Sequence, residues 1–288
     1  MLTTKKRLFF IFLMSSYIFC SNANVNVIFD IGGVLIQHRT SPLSVLKKIG
    51  FCGMLAYLLK FNFLRSLRSR LFETLNQLDS VVKNDFGATD DKGKLLPGIL
   101  CDWMTGHKTS AQVGKQLYTF IKNNNKFFHN NAEKNVIAKI GKMLADPKEM
   151  IESTFPLKAG LDFARECKRR GYRLFILSNW DKETFQLAQE KYPEIFELFD
   201  EQHMVISGNV GFAKPHPEIY QYMLAKHNLD PKTCIFFDDQ LVNTKRAEEF
   251  GIASITCKKF TYQQMLEGLD SFVQKPGLTS STELLSEI

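Results

Sequence analysis

Long apolar runs, zinc-ligand spacings and glycine periodicities are all missing from this chain of 288 residues. Its six cysteines and six histidines never fall at zinc-binding intervals, and its 17 glycines follow no three-residue period. With no heptad repeat either, zinc-scaffolded, collagen-like and coiled-coil architectures are excluded. Neither a Walker phosphate loop nor a dinucleotide-binding glycine fingerprint occurs. Charge of one sign is scarce as well: 37 Lys+Arg stand against 30 Asp+Glu, too shallow an excess to indicate nucleic acid by itself. What is there, 44% apolar and 23% charged residues, is the composition of a folded globular protein. The length suits one domain with a large insertion, or two modest domains.

The amino terminus reads differently from the rest. Lys5, Lys6 and Arg7 precede an apolar stretch, Leu8–Cys20, interrupted only by Ser15 and Ser16. Ser21 and Ala23 then supply small residues three positions and one position before a cut after Ala23. This order predicts a signal peptide over residues 1–23 and an exported, periplasmic or secreted protein, because the apolar stretch is too short for a comfortable membrane span. An uncleaved anchor or a buried first helix is the competing reading, while the bulky Phe19 ahead of Cys20 disfavours a lipoprotein. Cleavage removes three of the 37 basic side chains and none of the 30 acidic ones, leaving a net charge of +4. Export would place Cys52, Cys101, Cys167, Cys234 and Cys257 in an oxidising space. Cys167 and Cys234 read as buried thiols, and a Cys52–Cys101 bridge stays open.

Beyond the leader, an apolar run, Val25–Phe29, stops at Asp30 and is followed by Gly32-Gly33. A tighter rhythm begins after Phe155: helices over Gly160–Arg170, Lys182–Lys191, Pro217–His227 and Leu241–Phe250 alternate with strands over Arg173–Leu177, Met204–Ile206, Cys234–Phe237 and Ile252–Ile255. Short apolar strands alternating with helices predict an α/β fold, a Rossmann-like parallel sheet with helices on both faces. Residues 37–155 do not share the rhythm and read as an inserted helical cap domain over one edge of the sheet. The core is then 24–36 and 156–275, with a mobile tail over 276–288. Within the insertion, Lys60–Arg70 reads as an amphipathic helix with Phe61, Leu64, Leu67 and Leu71 along one side and Arg65, Arg68 and Arg70 mostly away from it. Its charged outer face is compatible with a weak anionic-membrane contact or with attraction of an anionic substrate. The aromatic spacing suits a core and argues against stacked nucleic-acid bases.

In an open parallel sheet, ligands meet the crevice beyond the carboxyl ends of the strands. Asp30 ends the first strand, Ser178 and Asn179 end another, Lys214 follows the short strand, and Asp238 and Asp239 end the fourth, with Asn243 near the next helix start. Asp30 and Asp239 supply hard oxygen ligands, and the Gly32 carbonyl can add a third, a set that suits Mg²⁺. Ser178 and the amides after it can hold phosphoryl oxygens, and Lys214 adds positive charge where the anions converge. Asp30 can then attack phosphorus to give an aspartyl-phosphate that water hydrolyses. Taken one at a time, these acids read as turn formers or helix caps. The ordered set with Ser178 and Lys214 does not.

Phe29-Asp30-Ile31-Gly32-Gly33, Leu177-Ser178-Asn179, Lys214-Pro215-His216-Pro217 and Phe237-Asp238-Asp239, with Asn243 beyond, resemble the four signatures of the haloacid dehalogenase-like hydrolase superfamily. The resemblance is to its phosphatase-rich branch with a helical cap after the first strand. It implies Asp30 as nucleophile and metal ligand and Lys214 as the active-site lysine. Ser178, Asn179 and Gly33 are implied at the phosphate, Gly32 and Asp239 complete the metal set, and Asp238 and Asn243 support it. The implied substrate is a small phosphorylated metabolite and the cofactor is Mg²⁺. One position departs from the pattern: most phosphatases of the superfamily carry a second Asp two residues after the nucleophile, where this chain has Gly32. A lost general acid costs about 10²- to 10⁴-fold. Some bacterial sugar-phosphate phosphatases that the chain resembles also have Gly there. A metal-independent 2-haloacid dehalogenase and a catalytically weak binding protein are the alternatives. Trp180 and Asp181 beside the phosphate loop read as packing or substrate contacts, His38 as a residue near the cleft entrance, and His216 as a loop former.

Overall fold

The structure is a computed structural model that describes residues 25–38, 63–90 and 92–274. The predicted signal peptide, Cys52 and the predicted tail over 276–288 lie outside the described residues. The chain enters through β1 (Asn26–Phe29), turns at Asp30 and leaves the core through β2 (Ile36–His38). The insertion supplies α1 (Phe63–Leu75), α2 (Gly98–Met104), α3 (Ser110–Asn123), α4 (Asn131–Leu144) and α5 (Pro147–Glu152). The chain returns along β3 (Thr154–Pro156) to α6 (Lys158–Arg169), β4 (Arg173–Ser178), α7 (Lys182–Lys191), α8 (Pro193–Phe196) and β5 (Met204–Ile206). It finishes with α9 (Ser207–Val210), α10 (Pro217–His227), β6 (Cys234–Asp238), α11 (Leu241–Glu249), β7 (Ala253–Thr256) and α12 (Tyr262–Val273).

The core sheet has the order β5-β4-β1-β6-β7, with every pairing parallel. Both faces are covered, so the central strands are apolar throughout and successive residues serve opposite layers. Val27 and Phe29 of β1, Leu174 and Ile176 of β4 and Phe237 of β6 pack with Phe163 of α6 and Leu269 of α12. Ile28, Phe175, Leu177 and Phe236 face the other way onto Ile219, Tyr220 and Met223 of α10. Each such side chain contributes about 1.5–3 kcal/mol on burial. The chain winds from β1 toward β4 and β5 but from β6 toward β7, so β1 and β6 are neighbours at the switch point where a ligand crevice opens.

The helical insertion has its own core: Leu67 and Leu75 of α1, Ile99 and Trp103 of α2, Leu117 and Ile121 of α3, and Val136 and Ile137 of α4. Two of its features differ from the sequence reading. The two crossings between core and cap pair as antiparallel strands β2 and β3, with Gln37 opposite Phe155; three-residue strands carry too little alternation to be read from sequence. Because β2 leaves from the carboxyl end of β1, the cap sits across the carboxyl ends of the strands and not over one sheet edge. Ser110 N donates to Glu183 of α7 at 2.9 Å, Ser207 Oγ donates to the Met104 carbonyl at 2.6 Å, and Thr89 Oγ1 donates to Gln240 Oε1 at 3.3 Å. A Cβ on Gly106 would come within 2.5 Å of the Gly208 carbonyl, so the cap meets the core there backbone to backbone. Among the described residues, no helix is long and apolar enough to cross a membrane.

The basic stretch in α1 is also more occupied than its sequence suggests. Arg68 pairs with Asp90, and Arg70 pairs with Glu73 and, at 2.7 Å, with Glu133, while donating to the Phe127 carbonyl. These arginines tie the cap together, because acids distant in sequence fold back onto them. Cys101, Cys167, Cys234 and Cys257 are buried free thiols.

Candidate active site

Every strand-end residue singled out from sequence arrives at one place. Asp30 follows β1, and its backbone amide donates to the Phe237 carbonyl at 2.8 Å, which fastens it to the end of β6. Ser178, the last residue of β4, donates its hydroxyl to Asp30 Oδ1 at 2.6 Å and lies 3.4 Å from the Ile31 amide that donates to it. Asp238 ends β6, with its own carbonyl accepting from Cys257 N at 2.7 Å.

Lys214 is 1% exposed, and its ammonium is fully engaged. It donates to the Leu177 carbonyl at 2.8 Å, to Asp238 Oδ2 at 2.6 Å and to Asp30 Oδ1 at 2.9 Å. An ammonium has three protons, and in Lys214 each has a protein acceptor. Burial alone would lower this lysine's pKa, but Asp238 and Asp30 outweigh it and hold the pKa above its ordinary value. Asn179 is equally committed. Its Nδ2 donates to the Lys214 carbonyl at 2.8 Å and its Oδ1 accepts from Lys214 N at 2.7 Å. The side chain assigned from sequence to the phosphate therefore clamps the lysine backbone.

The two adjacent acids divide their work. Asp238 is saturated: besides Lys214 it accepts from Gln240 N at 2.8 Å and from Asn243 Nδ2 at 3.1 Å on both oxygens. Asn243 is held in turn by Tyr220, whose hydroxyl donates to the Asn243 carbonyl at 3.0 Å, and its own Oδ1 is buried without a partner. Asp239 receives no side-chain donor among the described residues. Burial first, and repulsion from Asp30 and Asp238 next, push its pKa up to about 7. Burial likewise raises Asp238 to about 6, against the pull of Lys214.

Gly33 makes this crowding possible. It adopts φ +71, and a Cβ there would lie 2.6 Å from the Asp239 carboxyl carbon, so only glycine lets Asp239 reach the Asp30 turn. Carboxylate oxygens of Asp30, Asp238 and Asp239 all fall within 4.8 Å of one another. Three carboxylates facing a single buried ammonium leave an uncompensated negative site of oxygen donors, and that chemistry fits a hard divalent cation. Gly32 stands differently: a Cβ on it would sit 3.8 Å from Asp30 Oδ2, an ordinary contact.

The remaining sequence candidates lie at the rim. Trp180 is buried, stacks near His38 with ring centroids 6.3 Å apart, and accepts at its carbonyl from Gly208 N, which is a packing role. Asp181 caps α7 by accepting from Thr184 N at 2.9 Å. His216 accepts from Glu218 N at 3.3 Å and shapes the start of α10. Two rim features escaped sequence reading because they need the fold. Phe86 of the cap packs on His216 at 5.5 Å, and the cap loop around Thr89 meets the loop after β6.

The family model of haloacid dehalogenase-like hydrolases matches residues 26–251, and the chain belongs to that family of hydrolases. Among curated proteins it is similar to bifunctional epoxide hydrolase 2 of Rattus norvegicus and of Sus scrofa, 30% and 32% identical over 98 residues. Those matches take in 33% of this chain but only 17% of either relative. Among solved structures, a predicted HAD-like family hydrolase from Porphyromonas gingivalis superposes with a TM-score of 0.50 at 20% identity, over 88% of this chain and 99% of that one. A HAD family enzyme from Bacteroides thetaiotaomicron, in complex with magnesium and inorganic phosphate, gives 0.49 at 21% identity over 81% and 93%.

Proposed function

We propose that the protein is a Mg²⁺-dependent phosphomonoester hydrolase that works through an aspartyl-phosphate on Asp30. The observation that carries the reading is the partition of charge at the strand ends. Lys214 fixes Asp30 and Asp238, while Asp239 is left without a donor beside them. Asp30, Asp239 and the Gly32 carbonyl would hold the cation, with Asp238 braced behind them by Lys214 and Asn243. A bound divalent cation offsets the repulsion between carboxylate and phosphate dianion and neutralises charge on the transferring group.

The rest falls to the chain's own residues. Ser178 orients Asp30 Oδ1 and, by swinging its hydroxyl, donates to a phosphoryl oxygen. Asp30 attacks phosphorus, the bond from phosphorus to the leaving oxygen breaks, and that oxygen takes a proton from solvent because Gly32 offers none. Water then attacks phosphorus and gives up a proton to solvent as the bond to Asp30 breaks, which regenerates the carboxylate and releases inorganic phosphate. Asn179 positions Lys214, whose charge steadies Asp30 without touching the substrate.

Halide displacement from a 2-haloacid would use the same Asp30, but a carboxylate substrate would meet Asp239, a second carboxylate beside Asp30 that no side-chain donor offsets among the described residues. Release of p-nitrophenol from p-nitrophenyl phosphate with Mg²⁺, abolished by EDTA, is the expected result. Chloride release from 2-chloropropionate in EDTA would replace the reading with the dehalogenase one. Export belongs to the same proposal and is supported by the order of Lys5-Lys6-Arg7, Leu8–Cys20 and Ala23. Amino-terminal sequencing of the mature protein is expected to begin at Asn24, and an intact Met1 in the cytoplasm would refute it.

A further inference from the structure

We infer that the leaving alcohol of the substrate carries a second anionic group, received by Lys245 and Lys258; this rests on the phosphatase reading above and narrows its substrate class. A cavity of about 440 Å³ lies between cap and core, lined by Thr89, Asp90 and Gly93 from the cap and by Asp239, Gln240, Lys245 and Lys258 from the core. Asp239 lines this cavity and also belongs to the carboxylate cluster at Asp30, so the cavity borders the place where phosphoryl transfer would occur.

The charges lining it do not cancel. Asp90 is neutralised by Arg68, and Asp239 belongs to the cation's ligand set. Lys245 and Lys258 have no acidic partner among the described residues. The first turn of α11 forms part of the same wall, and its N-cap residue Gln240 makes no side-chain cap bond, so the partial positive charge of that helix end adds to the two lysines. A second cavity, of about 410 Å³ on the His216 side, mixes Lys83 with Asp85 and Glu218 and has no such bias.

The test is a matched series with Mg²⁺ present: glycerol 3-phosphate, 3-phosphoglycerate and glycerol 1,3-bisphosphate, with p-nitrophenyl phosphate as reference. A carboxylate or a second phosphate is expected to raise kcat/KM about tenfold over glycerol 3-phosphate, mainly through KM, and the better of the two identifies the group. Salt at about 0.5 M should shrink the advantage, since exposed lysines are screened. In the Lys245→Ala, Lys258→Ala double variant, the ratio between substrates in one preparation should fall to about 1, a readout that loss of folded protein cannot mimic. Calorimetric binding of the same compounds to Asp30→Asn should show the same ratio. Equal kcat/KM across the series, or a ratio unmoved by the double variant, overturns this inference alone. No hydrolysis of p-nitrophenyl phosphate or of any member of the series overturns the phosphatase reading instead.

Discussion

The floor of the site and its roof are built on opposite terms. The floor is a closed network in which Ser178, Asn179, Lys214, Asp238 and Asn243 leave almost no side-chain donor free; its links join strand ends and the loops after them, with Asn243 reaching back from the first turn of α11. The roof is a separate helical core that meets the floor through a few hydrogen bonds, a glycine-to-glycine backbone contact and ring packing on His216. A site laid out this way holds the strand-end groups in a fixed network while the helical insertion above it keeps a core of its own. On the proposed reading, parallel-sheet geometry fixes the chemistry, and specificity falls to the seam where the insertion meets the core residues Lys245 and Lys258.

The sharpest way to break the contrast is at Lys214. Lys214→Met removes the ammonium that Asp30 and Asp238 share and leaves both uncompensated, which costs about 3–5 kcal/mol. Denaturant unfolding should show that loss, together with a drop of at least about 10³-fold in phosphatase turnover. A variant of unchanged stability would mean that the network does not hold the floor together. On the roof, Leu117→Ala opens a cavity where Leu117 packs against Gly141, costing about 2–4 kcal/mol. Hydrogen exchange should then rise in α3 and α4 and stay unchanged in β1 and β6. Protection lost equally in both regions would show that cap and core do not unfold as separate units.

Gly32→Asp sharpens the comparison from the other side. The position has room for a side chain, so a carboxyl group there should supply the proton that the leaving oxygen lacks. Turnover of an alkyl phosphate should rise by about 10², whereas p-nitrophenyl phosphate, whose leaving group needs little protonation, should change by less than about threefold. An equal response in both substrates would deny that protonation is the missing step.

The smallest effect lies far from the site. His227, at the end of α10, has a buried Nε2 without a partner, and its pKa is lowered to about 4, by burial first and then by Lys226, His203 and Arg173. Its folded pKa lies below the unfolded value, so the unfolded chain binds more protons between pH 6.5 and about 4, and stability falls as pH drops through that window. His227→Gln should flatten this part of the stability profile. An unchanged slope would assign the acid sensitivity to other groups.

How much of this was legible in the sequence depends on distance along the chain. The core strands, their order of appearance and the acids at their ends could be read because each is a local pattern, clearest in β1, β4 and β6, where an apolar run of four to six residues ends at Asp or Ser. The partners of those residues could not. Nothing local says that Asn179 closes on the Lys214 backbone, that Lys214 uses all three protons within the protein, or that Asp238 is saturated while its neighbour Asp239 is left bare. The same limit hid the β2–β3 pairing and the acids that turn Arg68 and Arg70 inward. Gly33 lies between these cases. Its presence was visible, but its reason, the approach of Asp239, belongs to the fold.

The central claim is that Asp30 becomes phosphorylated when Asp239 and a divalent cation stand beside it. Acid quenching of the enzyme during turnover of ³²P-labelled 3-phosphoglycerate or, should that not react, ³²P-labelled p-nitrophenyl phosphate, followed by peptide mapping, tests it most directly. Radiolabel should be recovered on the peptide containing Asp30, and be lost in EDTA and in Asp30→Asn. Label on another residue, or phosphate release undiminished in Asp30→Asn, would contradict it.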